Sequence, residues 1–443
     1  SVLMDIKGDL SGLAKPGESN DHIVWRHGAI GVPYESANLP VELMSISEQK
    51  GIRLRATVSE FGPILLAKML ELNDTQEGIL SILFMYCDDN ELPLLDLKDL
   101  RKTLQFIIGD GKEEIKKEYG QISSSSVSTI MRKVLALEQQ GGELFFGEKS
   151  FDVQDLLMVT RKGKGRVSII RLTDIQHQPK LFSTFMMSLL AEVYETFPEA
   201  GDSDKPKLCI FIDEAHLMFN EASDALIDQI EIIIKLIRSK GVGIYFVTQL
   251  PTDIPDEVLS QLGLKIQHAL RAFTAKDRKA IKQTAENYPL SDYYKTDKVI
   301  TELGTGIALV TALNEKGIPT PLATTLMQAP KTRMDILTKA EINEQIEYSL
   351  LNEKYKEKID RRSAYEILEE RIARMGEEEL IEKRKKQQAK EDKAIEKTRR
   401  SKTTRRRPGR SRKSSAESAM DTFVKTAGKE IIRGMFNIFG LRK

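Results

Sequence analysis

The sequence predicts a doubly wound, mostly parallel α/β sheet with an inserted helical subdomain and a charged C-terminal tail, part helical and part disordered. Three observations carry this. Short apolar runs rich in β-branched and aromatic residues alternate with stretches of helical periodicity, the pattern of strand–helix–strand units. One interval, residues 59–142, has helical spacing only. The net charge is only +1 over 443 residues, yet the last part of the chain is strongly basic.

Taken in order, residues 2–10 read as a strand tip and a Gly turn. Residues 11–40 read as loop, broken by Pro16, Gly17, Gly28, Gly31 and Pro33. Two β-like runs follow at 42–47 and 52–58. Helical spacing marks 61–72, 77–86, 97–107 and 126–137, with Asn73, Asp74 and Ser123 to Ser126 as punctuation and candidate N-caps. Strand signals resume at 166–172. A helix over 181–197 carries the apolar stripe Phe182, Phe185, Met186, Leu189, Leu190 and Val193. Further strands are expected at 207–212, 243–248 and 264–270, helices at 223–238 and 275–286, and a closing hairpin from 306–311 and 319–325. Residues 340–374 read as one long surface helix. The expected partition is 1–58 and 143–330 for the two parts of the α/β core and 59–142 for the insert. A charged helical extension (331–397), a basic disordered linker (398–420) and an amphipathic helix (421–443) complete it.

Composition narrows the setting. No run of 18 or more apolar residues exists and no signal-peptide layout opens the chain. Cys87 and Cys209 lie apart in apolar surroundings and read as small core hydrophobes, and no Cys/His spacing suggests zinc. A reducing, cytoplasmic location is expected.

The chemistry gathers on Lys207-Leu208-Cys209-Ile210-Phe211-Ile212-Asp213-Glu214. An apolar strand ends in two adjacent carboxylates, which are costly to desolvate. In open α/β sheets ligands bind at the carboxyl ends of strands. The pattern reads as a Walker B strand, with Asp213 holding Mg²⁺ and Glu214 orienting the attacking water. A core strand running into an acidic helix N-terminus is the plainer alternative. The following strand ends in Thr248-Gln249, and an amide there both donates to and accepts from a γ-phosphate and its water. Arg238 ends the intervening helix before a Gly. It is either an ordinary C-terminal cation or an arginine finger reaching a neighbouring subunit; Arg271 is a second candidate for that role. A phosphate cradle G-x-x-x-x-G-K-[ST] is missing. Gly-Lys occurs at Gly111, Gly163 and Gly428, never followed by Ser or Thr.

These segments together resemble the HerA-like/FtsK-type P-loop ATPases, the helicase HerA-like C-terminal family. Asp5-Ile6-Lys7-Gly8-Asp9-Leu10-Ser11-Gly12 resembles its second core strand and turn. Residues 72–78 and 137–142 resemble its helical insert, Asp213-Glu214-Ala215-His216-Leu217 its Walker B, 236–243 the approach to Gln249, and 267–273 a later strand. The resemblance covers about residues 1–330. It implies a RecA-like core, ATP and Mg²⁺ as cofactors, a homo-oligomeric, hexameric ring, and DNA as the polymer moved by a translocase or helicase-like motor. In such proteins the Walker A loop precedes the segment that begins here. Sequence upstream of Ser1 is therefore the first expectation, and a natural pseudo-ATPase the second.

The C-terminus carries an alternative of another class, a non-catalytic nucleic-acid-binding or scaffold protein. Residues 398–413 hold nine basic residues and no acid, among them Arg399, Arg400, Arg405, Arg406, Arg407, Arg410 and Arg412. Such a block binds phosphate backbones with strong salt dependence, or is simply a solvated tail. Val424, Ala427, Ile431, Met435 and Phe439 share a helical face flanked by Lys425, Lys429 and Arg433. That face suits a docking partner or an anionic membrane surface.

Overall fold

The computed structural model describes residues 1–175, 179–201, 204–219 and 224–403. Six strands form the central sheet: β1 Val2–Asp5, β2 Val41–Ser45, β3 Ile52–Arg53, β4 Val167–Arg171, β5 Leu208–Ile212 and β6 Val242–Phe246. Their order is β3-β2-β4-β1-β5-β6, and every neighbouring pair is parallel. Val41 and Leu43 of β2 join Val167 and Ile169 of β4, Ala14, Leu337 and Ile342 in one buried cluster. The alternating Met44 and Ile170 are fully buried as well. A sheet covered on both faces needs continuous apolar runs rather than alternation. The doubly wound α/β reading therefore holds.

The chain leaves this sheet after β3. Helices α2 Val58–Met69, α3 Asp74–Asp89, α4 Leu97–Ile108, α5 Lys112–Glu118, α6 Ser124–Gln139 and α7 Gly142–Phe145 fill the interval before β4. An earlier helix, α1, spans Asp21–Ile30. Local rules set the boundaries of the insert. Thr57 with Glu60, Asn73 with Gln76, and Asp96 with Asp99 form capping boxes, and Ser123 accepts from the Ser126 amide. Gly62, at φ 71°, and Pro63 kink α2. The Gly109–Gly111 segment is a turn. Cys87 is buried in α3, and burial pushes its thiol up to about 12. Cys209 on β5 is only partly buried.

After β4 come α8 Pro179–Thr196, α9 His216–Phe219, α10 Asp224–Ile237 and α11 Asp256–Leu259. A separate antiparallel sheet follows, of β7 Lys265–Gln267, β8 Ile307–Thr311 and β9 Ala323–Leu326, with α12 Ala275–Glu286 and α13 Thr296–Glu302 between its first two strands. The expected hairpin is present as β8 and β9.

Three readings of the sequence are corrected. Residues 21–30, read as loop, form α1, because Asn20 accepts from the Ile23 amide and Gly31 ends the helix at φ 68°. Its Arg26 donates to the carbonyls of Thr305, Gly306 and Met327 and so ties the second sheet to the helix. The strand expected at 264–270 shrinks to β7 and belongs to that second sheet, not the parallel one. The single long helix expected over 340–374 is three: α14 Lys339–Glu347, α15 Leu350–Tyr355 and α16 Ala364–Thr403. The Ser349 side chain caps α15 by accepting from the Leu351 amide, and the Ser363 hydroxyl bonds to Glu366 at the start of α16. Leu351, Tyr355, Ala364 and Leu368 are buried, so one face of this segment packs into the core while the rest stays exposed.

The chain divides into two compact units, Ser1–Ile372 and Ala373–Lys443. The described part of the second is the remainder of α16. Its exposed Glu379–Lys383 and Glu382–Lys386 pairs lie one turn apart, a spacing that supports solvated helix. The helix runs through Thr403, past the boundary expected at residue 397, so Arg399 and Arg400 fall in its last turns. Arg405, Arg406, Arg407, Arg410 and Arg412, with the expected C-terminal amphipathic helix, lie outside the described residues.

Candidate active site

The carboxyl ends of β1, β5 and β6 lie side by side, because β5 pairs with β1 on one side and β6 on the other. Each strand delivers polar residues where its ladder stops. From β1 come Asp5 and Lys7, from β5 Asp213 and Glu214, and from β6 Thr248 and Gln249.

The backbone at the tip of β5 is specific. The Val247 amide donates to the Ile212 carbonyl at 2.9 Å, and the Ala215 amide donates to the Val247 carbonyl at 2.9 Å. Asp213 and Glu214 are looped out between these two bonds. Glu214 accommodates the loop at φ 46°, a left-handed conformation that costs a non-glycine residue roughly 1–3 kcal/mol. It is nonetheless 6% exposed. A buried acid in strained backbone is a site hypothesis by observation.

Its partners come from both neighbouring strands. Lys7 Nζ forms an ion pair with Glu214 Oε1, and Gln249 Nε2 donates to the same oxygen at 3.5 Å. His216 Nδ1 stands 3.2 Å from Oε2, an oxygen that is buried and makes no hydrogen bond. Burial pushes the Glu214 carboxyl up, but Lys7, Gln249 and His216 together outweigh it and hold the group below its ordinary range. The Glu214 bond holds the Lys7 ammonium above its own. Asp213 is half-buried, and desolvation raises its carboxyl despite the Glu214 amide and Lys7.

The flanking turns fix these groups. Asp5 is fully buried; its Oδ1 accepts from the Gly8 amide at 2.8 Å, while its Oδ2 has no donor. Desolvation moves its carboxyl up to about 6. Gly8 turns the chain at φ 82°, and a Cβ there would meet Thr173 at 2.8 Å, so Lys7 depends on a glycine beside it. On β6, Thr248 Oγ1 and the Leu250 amide both donate to Asp253 Oδ2, at 2.9 and 3.2 Å. These bonds set the loop that carries Gln249.

The profile of the family described as Helicase HerA-like C-terminal matches residues 1–443. The chain belongs to this family. No curated protein matches it. Among solved structures, the HerA-like chain is similar to the bacterial conjugative coupling protein TrwB, at 10% identity over 76% of this chain and 87% of that one, with a TM-score of 0.44. VirB4 of Thermoanaerobacter pseudethanolicus is 14% identical over 74% of this chain and 81% of that one, with a TM-score of 0.44. A TrwB structure in complex with ADP and Mg²⁺ is 11% identical over 76% of this chain and 87% of that one, at 0.43.

Within this HerA-like site, the residues expected from sequence divide in two. Asp213, Glu214 and Gln249 come together. Arg238 lies on a 3₁₀ turn after α10, exposed, apart from this cluster. Arg271 follows β7 and donates to the carbonyls of Thr301 and Leu303 near the end of α13, which leaves it engaged within its own chain. Lys7 and Asp5 are the residues that the sequence reading left without a role. Both stand at the tip of a buried parallel strand, and that position was the available signal.

The donors fit a hard divalent cation. Carboxylate oxygens suit Mg²⁺, which commonly uses one or two carboxylates plus substrate phosphates. Among the described residues no group of three or more His, Cys, Asp or Glu converges as a metal cage, so Asp213 alone would need a nucleotide to complete the shell.

Proposed function

We propose that this chain carries the hydrolytic edge of an ATP-driven ring motor that moves DNA. The observation that supports it most is the approach of Gln249 to the buried, strained Glu214 across adjacent parallel strands, in a chain of the Helicase HerA-like C-terminal family. Asp213 is the residue to hold Mg²⁺, which when bound would neutralise phosphate charge. Glu214 accepts a hydrogen bond from the attacking water and orients it. Gln249 reports the γ-phosphate to Glu214 through the bond they share. Arg238, exposed and outside the cluster, is the residue to serve a neighbouring copy in a homo-oligomeric, hexameric ring. Arg271 is the weaker candidate for that role, because α13 already holds it.

The test is Mg²⁺-dependent ATP hydrolysis by the full-length protein, with and without DNA. Glu214→Gln is expected to lower the rate by at least about a hundredfold. Equal rates for the two proteins would sink the reading.

One observation favours a second reading, a non-catalytic scaffold that binds DNA through its tail. No G-x-x-x-x-G-K-[ST] occurs in these 443 residues, while 398–413 is purely basic. DNA binding that falls steeply with salt and disappears in a chain ending at residue 397 would support it. Hydrolysis lost in Glu214→Gln would argue against it.

A further inference from the structure

Lys7 has no part in the hydrolytic reading above, yet it is ion-paired with the central carboxylate of the site. Its ammonium is bonded to Glu214 Oε1 and also feels the charges of Asp213 and Asp9. One cation is thus bonded to Glu214, next in the chain to Asp213, with Asp5 buried at the base of the turn that carries Lys7. The two ends of the ion pair differ sharply. The Glu214 side chain is 8% exposed and the Lys7 side chain 52%. Glu214 is locked between the two backbone bonds to Val247. Lys7 is a flexible arm on a glycine turn and can leave into water without unfolding anything.

We propose that Lys7 is the displaceable counter-ion of the acid pair: it neutralises Asp213 and Glu214 until a divalent cation takes over that charge, and so sets how tightly these carboxylates bind the metal. This rests on the assignment of Asp213 as the metal ligand. An ammonium and a hard divalent cation are attracted to the same oxygens. An ammonium bonded to Glu214 and a divalent cation on the adjacent Asp213 repel each other as like charges at close range, so each weakens the hold of the other. Lys7 therefore keeps the site from filling with free metal. A cation arriving with polyphosphate differs, since the ligand's negative charge gives the released ammonium a new partner. Lys7 is a positioning residue on this account. It acts through Glu214 and Asp213, not on the reacting atoms.

The experiment needs no hydrolysis and uses this chain as it stands. Mn²⁺ binding is followed by electron paramagnetic resonance of the free ion at low salt. Lys7→Met is expected to bind Mn²⁺ about tenfold more tightly than the wild type, and Lys7→Gln to follow it, while Lys7→Arg keeps the wild-type affinity. Adding Asp213→Asn to Lys7→Met should remove the gain. Unchanged or weaker binding in both neutral variants would overturn the proposal, as would a gain that persists without Asp213. Circular dichroism establishes that each variant is folded, and Lys7→Gln carries the test if Lys7→Met is not. The outcomes separate from those of the hydrolytic reading. A motor with an essential Glu214 but no Lys7 effect on Mn²⁺ defeats only this inference. A Lys7 effect in a protein that hydrolyses nothing defeats only the other.

Discussion

Gln249 Nε2 donates to Glu214 Oε1 across 3.5 Å, a long hydrogen bond joining the tips of two neighbouring parallel strands. Its length leaves room for shortening when a ligand enters, because apo catalytic contacts are often loose. Gln249→Ala is expected to lower the rate of ATP hydrolysis by about ten- to a hundredfold. Nucleotide affinity should change little, since in the proposed role the amide would meet only the terminal phosphate and its water. Steady-state kinetics beside equilibrium binding of an ATP analogue check this; a large loss of affinity at unchanged turnover would contradict it.

Arg238 is exposed on the 3₁₀ turn after α10. Arg238→Ala should therefore change stability by no more than about 0.5 kcal/mol while reducing hydrolysis. Mixing Arg238→Ala with Glu214→Gln subunits should restore part of the activity, because some mixed interfaces then hold an intact Glu214 on one side and an intact Arg238 on the other. Mixtures no more active than their components would remove the role in trans.

Asp5 gives a pH-dependent stability. Its carboxyl titrates near 6 in the fold, against 3.8 for a model carboxyl. The fold thus prefers the neutral form. At pH values well below about 3 the group is neutral in both folded and unfolded chains and costs nothing. As pH rises from about 3 to beyond 6, the folded state loses roughly 3 kcal/mol relative to a chain without this charge. Asp5→Asn keeps an oxygen for the Gly8 amide and removes the charge. Its advantage over the wild type in urea unfolding should be small at pH 4 and grow to a plateau above pH 6. A difference that does not vary with pH would show that burial of Asp5 is not the cause.

Asp99 is a structural counterpart. It is 1% exposed, accepts from the Leu95 and Asp96 amides, and receives the Ser363 hydroxyl at 2.5 Å and the Tyr365 amide at 2.9 Å. It therefore caps α4 and anchors the start of α16 to the helical insert. Asp99→Ala leaves several of these donors unsatisfied and is expected to cost about 2–4 kcal/mol. Limited proteolysis between α15 and α16 should accelerate in step, with nucleotide chemistry unaffected once the protein is folded.

The parallel sheet was legible because most of its strands are runs rich in apolar residues, as in Leu208–Ile212, and Asp213, Glu214 and Gln249 were legible because they follow the ends of such runs. Lys7 was not. Its partner is far away in sequence, and one lysine before a glycine leaves no periodic trace. Helix α1 was hidden because its large apolar residues Val24 and Trp25 face solvent, at 63% and 66% exposure, while Ile23 and His27 are buried. Residues 339–368 were hidden by their charge. The buried apolar residues are Ile342, Leu351, Tyr355, Ala364 and Leu368, too sparse a set to read against the acids and lysines between them.

The left-handed backbone at Glu214 has a consequence for mutational drift. Glycine is the residue that occupies such a position at least cost, so Glu214→Gly would relax the backbone while losing the Lys7 and Gln249 contacts. A selection that scores only abundance or heat resistance weighs those two effects alone, whereas one that scores turnover also weighs the proposed role of the carboxylate. Comparing the two selections at this codon separates what the position contributes to folding from what it contributes to work.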